Sequence, residues 1–260
     1  MLVVQRGSVY LRSALVVAFS LLLVFVAILD DGTSVARLRE DRPSHAYAVP
    51  RENALPPRAE AKVVPRRRYV VAAIGDSITD PRVHGGLYMK HLAERCPKSR
   101  FDTYGIGGQF VRNLRARFDD DVFGAKKPGY THVIVFGGVN DLIGNPTATM
   151  LADAERDLAA MYEDAHARGV RVIALTIAQW SPHSAYDARM TESLDAWILS
   201  QSQDGDVTHA VDVRVPLMCE DQGTVCLQYR RFPIDTVHWN DRGHQVVADA
   251  IFHEVFADCE

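Results

Sequence analysis

Beyond residue 68 the chain alternates between two hydrophobic rhythms. Short β-branched runs, such as Tyr69-Val70-Val71-Ala72-Ala73-Ile74 and His132-Val133-Ile134-Val135-Phe136, are separated by longer stretches whose apolar residues return at helical spacing. The runs predict strands at about 69–74, 101–105, 132–136, 171–178 and 209–213, and the longer stretches predict helices near 84–96, 109–118, 148–168, 185–203 and 241–257. Strands alternating with helices imply an α/β class built on a parallel five-stranded sheet. Ligands of such sheets gather beyond the carboxyl ends of the strands. Ser77, Gly108 and Asn140 each follow the end of a predicted strand and so fall at that edge.

The first 68 residues keep neither rhythm. Ala14 to Leu29 is apolar apart from Ser20, with Arg6 and Arg12 before it and Asp30-Asp31 after it. The positive-inside rule then puts the bulk of the chain outside the cytoplasm. As a helix this run reaches about 24 Å, short of the roughly 30 Å hydrocarbon core, although residues from Val9 could extend it while Arg12 snorkels. Two readings follow for residues 1–29: an uncleaved membrane anchor spanning about 9–29, or a signal peptide removed near Ser34-Val35-Ala36. Residues 30–68 carry Pro43, Pro50, Pro56, Pro57 and Pro65 among many charges, and read as a disordered or extended tether. Residues 69–260 are left as the functional domain.

Charge and composition mainly exclude. A net charge of -4 with one basic cluster, Arg66-Arg67-Arg68, does not suggest a nucleic-acid partner. Ten histidines raise the question of a metal. Yet no His-x-x-x-His or Cys-x-x-Cys spacing occurs, and His84, His91, His132, His183 and His253 are scattered among different elements, so neither metal nor cofactor is expected. The four cysteines permit three pairings. Cys219 and Cys226 could close a small ring ahead of Asp235. Cys96 and Cys259, near the ends of the first and last helices, fall at the same pole of a parallel α/β fold. Four free thiols are the alternative, at odds with an exported chain.

Four short motifs carry the chemistry: Gly75-Asp76-Ser77-Ile78-Thr79, Gly105-Ile106-Gly107-Gly108, Gly137-Gly138-Val139-Asn140-Asp141 and Asp235-Thr236-Val237-His238. Acyl transfer needs a nucleophile, a base, a group that orients the base, and donors for the oxyanion of the tetrahedral intermediate. Singly, each motif is also what a tight turn, a helix cap or a surface ion pair looks like. Together, in order and each on the correct side of a strand, they supply a complete serine esterase. Ser77 is expected at a helix amino terminus, where the dipole favours the developing oxyanion. Asp76 and Asp141 are read as carboxylates that hold loop amides.

With these blocks the chain resembles the GDSL, or SGNH, family of hydrolases over about residues 69–257. The resemblance implies a three-layer α/β/α, flavodoxin-like fold, esterase, lipase, thioesterase or carbohydrate-deacetylase activity, and no required metal. Carried over by position, it makes Ser77 the nucleophile, His238 the general base and Asp235 its orienting partner, with Ser77, Gly108 and Asn140 as the oxyanion hole. Two departures stand out. Thr103 occupies a position where the family commonly has Asn, and adjacent Gly107 and Gly108 leave two glycines able to donate. Trp239, following the histidine, either narrows the pocket mouth or packs beneath the last helix. Trp180 and Trp239 are the candidate substrate rim. The expected substrate is a short-acyl ester, an O-acetylated carbohydrate in first place. The alternatives are a lipase or lysophospholipase, an O-acyltransferase using the same serine, and a noncatalytic glycan-binding module.

Overall fold

The computed structural model describes residues 66–178, 185–203, 205–219 and 223–260. The segments read as anchor or signal peptide and as tether therefore lie, up to residue 65, outside the described residues, as do Trp180 and His183. Among the described residues no helix is long and apolar enough to cross a membrane.

Five parallel strands form the sheet: β1 (Val70–Gly75), β2 (Arg100–Gly105), β3 (His132–Phe136), β4 (Arg171–Leu175) and β5 (His209–Val211), in the order β2-β1-β3-β4-β5. That is the flavodoxin-like order, whose direction reverses between β1 and β3 and leaves a crevice at their carboxyl ends. The residues explain the positions. Every side chain of β3 is buried, as a central strand covered on both faces requires. β2 reads Arg-Phe-Asp-Thr-Tyr-Gly and is largely half-exposed, and its charges suit an edge that must not recruit another strand. β4 stops at Leu175, short of the predicted residue 178, because β5 is three residues long and offers no further partner.

The helices are α1 (Leu87–Arg95), α2 (Val111–Phe118), α3 (Val139–Leu142), α4 (Ala148–Ala167), α5 (Ala185–Ser200) and α6 (Asp241–Ile251). α1 packs on α6, and α4 packs on both α2 and α5, which gives a helical layer on each side of the sheet. α1 starts three residues later than the periodicity predicts, because Gly86 adopts a φ of 69° and turns the chain before the helix can begin. α2 and α6 continue into wider turns at Asp119–Phe123 and Phe252–Phe256, so the predicted helix to 257 is met in two pieces. The single-turn α3 and the antiparallel pair β6 (Met218–Cys219) and β7 (Thr224–Val225) are too short to leave a periodic signal.

Two disulfides are present, Cys96–Cys259 and Cys219–Cys226, with Cα separations of 5.4 and 5.0 Å. The first ties the end of α1 to the carboxyl terminus. Arg67 belongs to the same seam, donating its N–H to Asp258 O at 2.9 Å and accepting from Glu260 N at 2.9 Å. The folded unit thus begins slightly before Tyr69, inside the stretch read as tether.

Candidate active site

The turn that leaves β1 is built to hold Ser77 at the crevice. The Asp76 carboxylate accepts the Ile78 N–H at 3.0 Å, an Asx turn that closes the loop around Ser77. A Cβ on Gly105 would lie 2.1 Å from the backbone carbon of Thr79, so this loop can sit against the end of β2 only over a glycine. Ser77 does not stand at a helix amino terminus, contrary to the sequence reading. Asp80 and Pro81 divert the chain into a short turn, Pro81–Val83, and α1 begins only at Leu87. Backbone amides, not a helix dipole, are therefore the available electrostatic aid.

The structure brings Ser77, His238 and Asp235 into one line. His238 Nε2 lies 2.9 Å from Ser77 Oγ, and His238 Nδ1 lies 3.0 Å from Asp235 Oδ2. A carboxylate only accepts, so Nδ1 carries the proton and Nε2 is left to accept from the serine hydroxyl. Asp235 is itself held: its Oδ1 accepts the N–H groups of Val237 at 3.1 Å and His238 at 2.9 Å. These bonds within one short loop explain the two-residue gap between Asp235 and His238.

The donor side is equally specific. The Gly107 N–H is already spent on Asp80 Oδ2 at 2.9 Å. Gly108 follows at a φ of 75° with open space where a Cβ would be, and its N–H has no acceptor among the described residues; the same holds for the Ser77 N–H. Of the two glycines, Gly108 is thus the one with a free donor. The Asn140 side-chain amide is oriented by Gln109 O at 2.9 Å and approaches Asp76 Oδ2 at 3.4 Å. The sequence motifs do not single out Asp80 or Gln109. Asp80 before Pro81 is a recognisable cap signal, whereas Gln109 acts through its backbone carbonyl, which no side-chain pattern reveals.

Burial shapes the neighbouring groups. It pushes the Asp76 carboxyl up to about 7, against the pull of the Ile78 N–H, and Asp141 nearby adds to the rise. Burial likewise raises Asp141 to about 6, although its carboxylate accepts the Val111 N–H at 3.0 Å at the start of α2. Both carboxylates hold loop amides, as expected. Trp239 is 1% exposed and stacked on Phe136 at 5.8 Å, so it packs beneath the site and forms floor, not rim. Beside it His244, 1% exposed, is pushed down to about 4, by burial first and by His91 next.

A family model described as GDSL-like Lipase/Acylhydrolase matches residues 73–246, a stretch that includes every residue of this site. The chain belongs to that family. This GDSL-like acylhydrolase is an ester hydrolase, and solved structures share its fold. An acetylxylan esterase from Geobacillus stearothermophilus, in a catalytic-mutant form, matches with 21% identity and a TM-score of 0.60, over 76% of this chain and 98% of that one. A GDSL-like lipase from Bacteroides thetaiotaomicron matches with 20% identity and a TM-score of 0.58, over 71% and 86%. An alpha/beta hydrolase from the metagenome of Lake Arreo, Spain, matches with 26% identity and a TM-score of 0.57, over 72% and 95%. No curated protein sequence matches significantly.

Proposed function

We propose that this acylhydrolase cleaves short-acyl esters, O-acetylated carbohydrates in first place, outside the cytoplasm and through Ser77. The observation that carries the reading is the unbroken line from Asp235 through His238 to Ser77, at 3.0 and 2.9 Å. In it, Ser77 Oγ attacks the ester carbonyl as its proton passes to His238 Nε2. The oxyanion is met by the N–H groups of Ser77 and Gly108 and by the Asn140 amide. His238 then returns the proton to the leaving alcohol, and a water deprotonated by His238 hydrolyses the acyl-serine. Asp235 holds the imidazole in the tautomer that can do both. The acetyl preference is supported by the Geobacillus acetylxylan esterase of like fold, and the compartment by two disulfides.

The test is hydrolysis of p-nitrophenyl acetate by the wild type and by Ser77→Ala. The substitution should lower turnover about 10⁴-fold or more while leaving the melting temperature near that of the wild type. A folded Ser77→Ala protein with full activity overturns the assignment. A panel of acyl lengths checks the substrate class: rates that climb toward long chains favour a lipase over a deacetylase.

A further inference from the structure

We propose that Arg231 recognises an anionic group, a carboxylate in first place, on the alcohol part of the ester. The inference rests on the reading of Ser77 and His238 given above. Arg231 is fastened beside the base: its N–H donates to His238 O at 2.9 Å, and Arg230 pairs with Trp239 in the same antiparallel bridge. Its side chain crosses to the loop that carries Ser77, where Nη1 donates to Val83 O at 3.1 Å. The guanidinium also lies over the Phe232 ring at 5.1 Å. Arg231 thereby lines both the narrow cavity at Ser77 and His238 and an open cleft of about 370 Å³ that continues from it past His84, Leu87 and Phe232.

What marks this cation is that it is uncommitted. Arg82 is engaged by Asp80 at 2.8 Å, and Arg230 donates to Val225 O at 2.7 Å, Thr224 Oγ1 at 2.8 Å and Pro233 O at 3.2 Å. Arg231 forms no ion pair among the described residues, and its remaining N–H donors meet no protein acceptor there. One carboxylate also lines the cleft, that of Asp241, and it is bonded to His91 Nε2 at 3.1 Å. A guanidinium held by one bond to Val83 O and left with several free donors is suited to a carboxylate.

The chemistry decides which half of the ester carries that carboxylate. The carbonyl oxygen must point to the Gly108 and Asn140 donors. The leaving oxygen must face His238 Nε2, which returns the proton to it. Arg231 is attached to the His238 side and so meets the departing alcohol. An acetylated acidic sugar has this arrangement. A lysophospholipid presents a phosphate instead, and belongs to the same ligand chemistry.

The probes are 3-acetoxybenzoate and its neutral isostere 3-acetoxybenzamide, which differ only in the charge on the leaving phenol. The wild type should prefer the benzoate by about tenfold or more in kcat/KM, mostly through KM, a usual gain for one charge-assisted bond. In Arg231→Gln the ratio should fall to near one, and Arg231→Lys should keep part of it. Added salt should raise KM for the benzoate and not for the benzamide, a readout that needs no variant. Equal rates on both esters in the wild type, or an unchanged ratio in Arg231→Gln, overturn the proposal. Should neither ester turn over, the esterase reading fails instead. The cation is then judged by calorimetry with 3-hydroxybenzoate: binding that is undiminished in Arg231→Gln overturns it. Comparing an acetylated uronic acid with a lysophospholipid separates the two sources of charge.

Discussion

At the residue scale, the site is a set of groups whose freedom has been removed by named bonds, and each bond can be cut. Asn140→Ala should cost about 10²–10³ in kcat with little change in KM, the usual loss for one oxyanion donor; an effect confined to KM would make Asn140 a residue that positions the substrate. Buried His244 makes a different prediction. Its folded-state value near 4 lies below the ordinary 6.5, so between those values the unfolded chain binds the extra proton, and stability is lost as pH falls through the window. Asp76 and Asp141, raised to about 7 and 6, act with the opposite sign, since the folded state holds their protons and loses stability as pH rises from about 4. The wild-type slope is therefore a difference of large parts. The variant isolates one of them: in His244→Phe, melting temperatures taken from pH 7 to pH 4 should fall less on acidification than in the wild type. An identical slope in both proteins would show that His244 is not kept neutral.

At the scale of elements, much was legible because periodicity reports faces that must be buried. All five strands and the long helices α4 and α5 lie within a few residues of their predicted spans, and α6 starts where predicted but gives way to a wider turn after Ile251. Ser77, Gly108, Asn140, Asp235 and His238 stand out in the sequence because they fall in four short motifs, the first three just past predicted strands, and the structure brings Ser77, His238 and Asp235 within hydrogen-bond distance. What stayed hidden were elements too short for a period, α3 and the β6–β7 pair, and contacts made by backbone atoms. The expectation of Ser77 at a helix amino terminus fails because Asp80-Pro81 and Gly85-Gly86 divert the chain and delay α1 to Leu87. Asn240 combines a cap that its place before a predicted helix suggests with loop contacts that no pattern reveals. Its Oδ1 caps α6 by accepting the Gly243 N–H at 3.0 Å, while its Nδ2 bonds Gln228 O at 2.8 Å and Arg230 O at 3.1 Å. One side chain thus fixes both the last helix and the loop leading to Asp235. Asn240→Ala should cost about 1–2 kcal/mol for the cap alone. It should also lower kcat/KM, which urea unfolding and ester kinetics on one preparation would reveal; unaltered kinetics would mean the loop is held by other means.

For the whole molecule, the boundary of the folded unit follows from the seam between Arg67 and Asp258 to Glu260. A chain beginning at Val63 keeps that seam and should retain full activity on small esters, in line with a domain to which the preceding residues add location alone. A chain beginning at Val71 loses Arg67 and Tyr69 and should melt at a lower temperature; equal melting temperatures would show the seam to be dispensable. The proposed export is tested by amino-terminal sequencing of the protein recovered from cells: a new terminus near Arg37 would show signal cleavage, and an intact Met1 would leave the anchor reading. The bridge between Cys96 and Cys259, 163 residues apart, has a further effect beyond stability. It makes nearly the whole domain one closed covalent loop, with Gly108, Asn140, Asp235 and His238 inside and Ser77 on the short arm outside. A single protease cut between residues 97 and 258 therefore separates nothing: the nicked enzyme stays one molecule of almost unchanged mass, and its fragments part only when a reductant opens the ring.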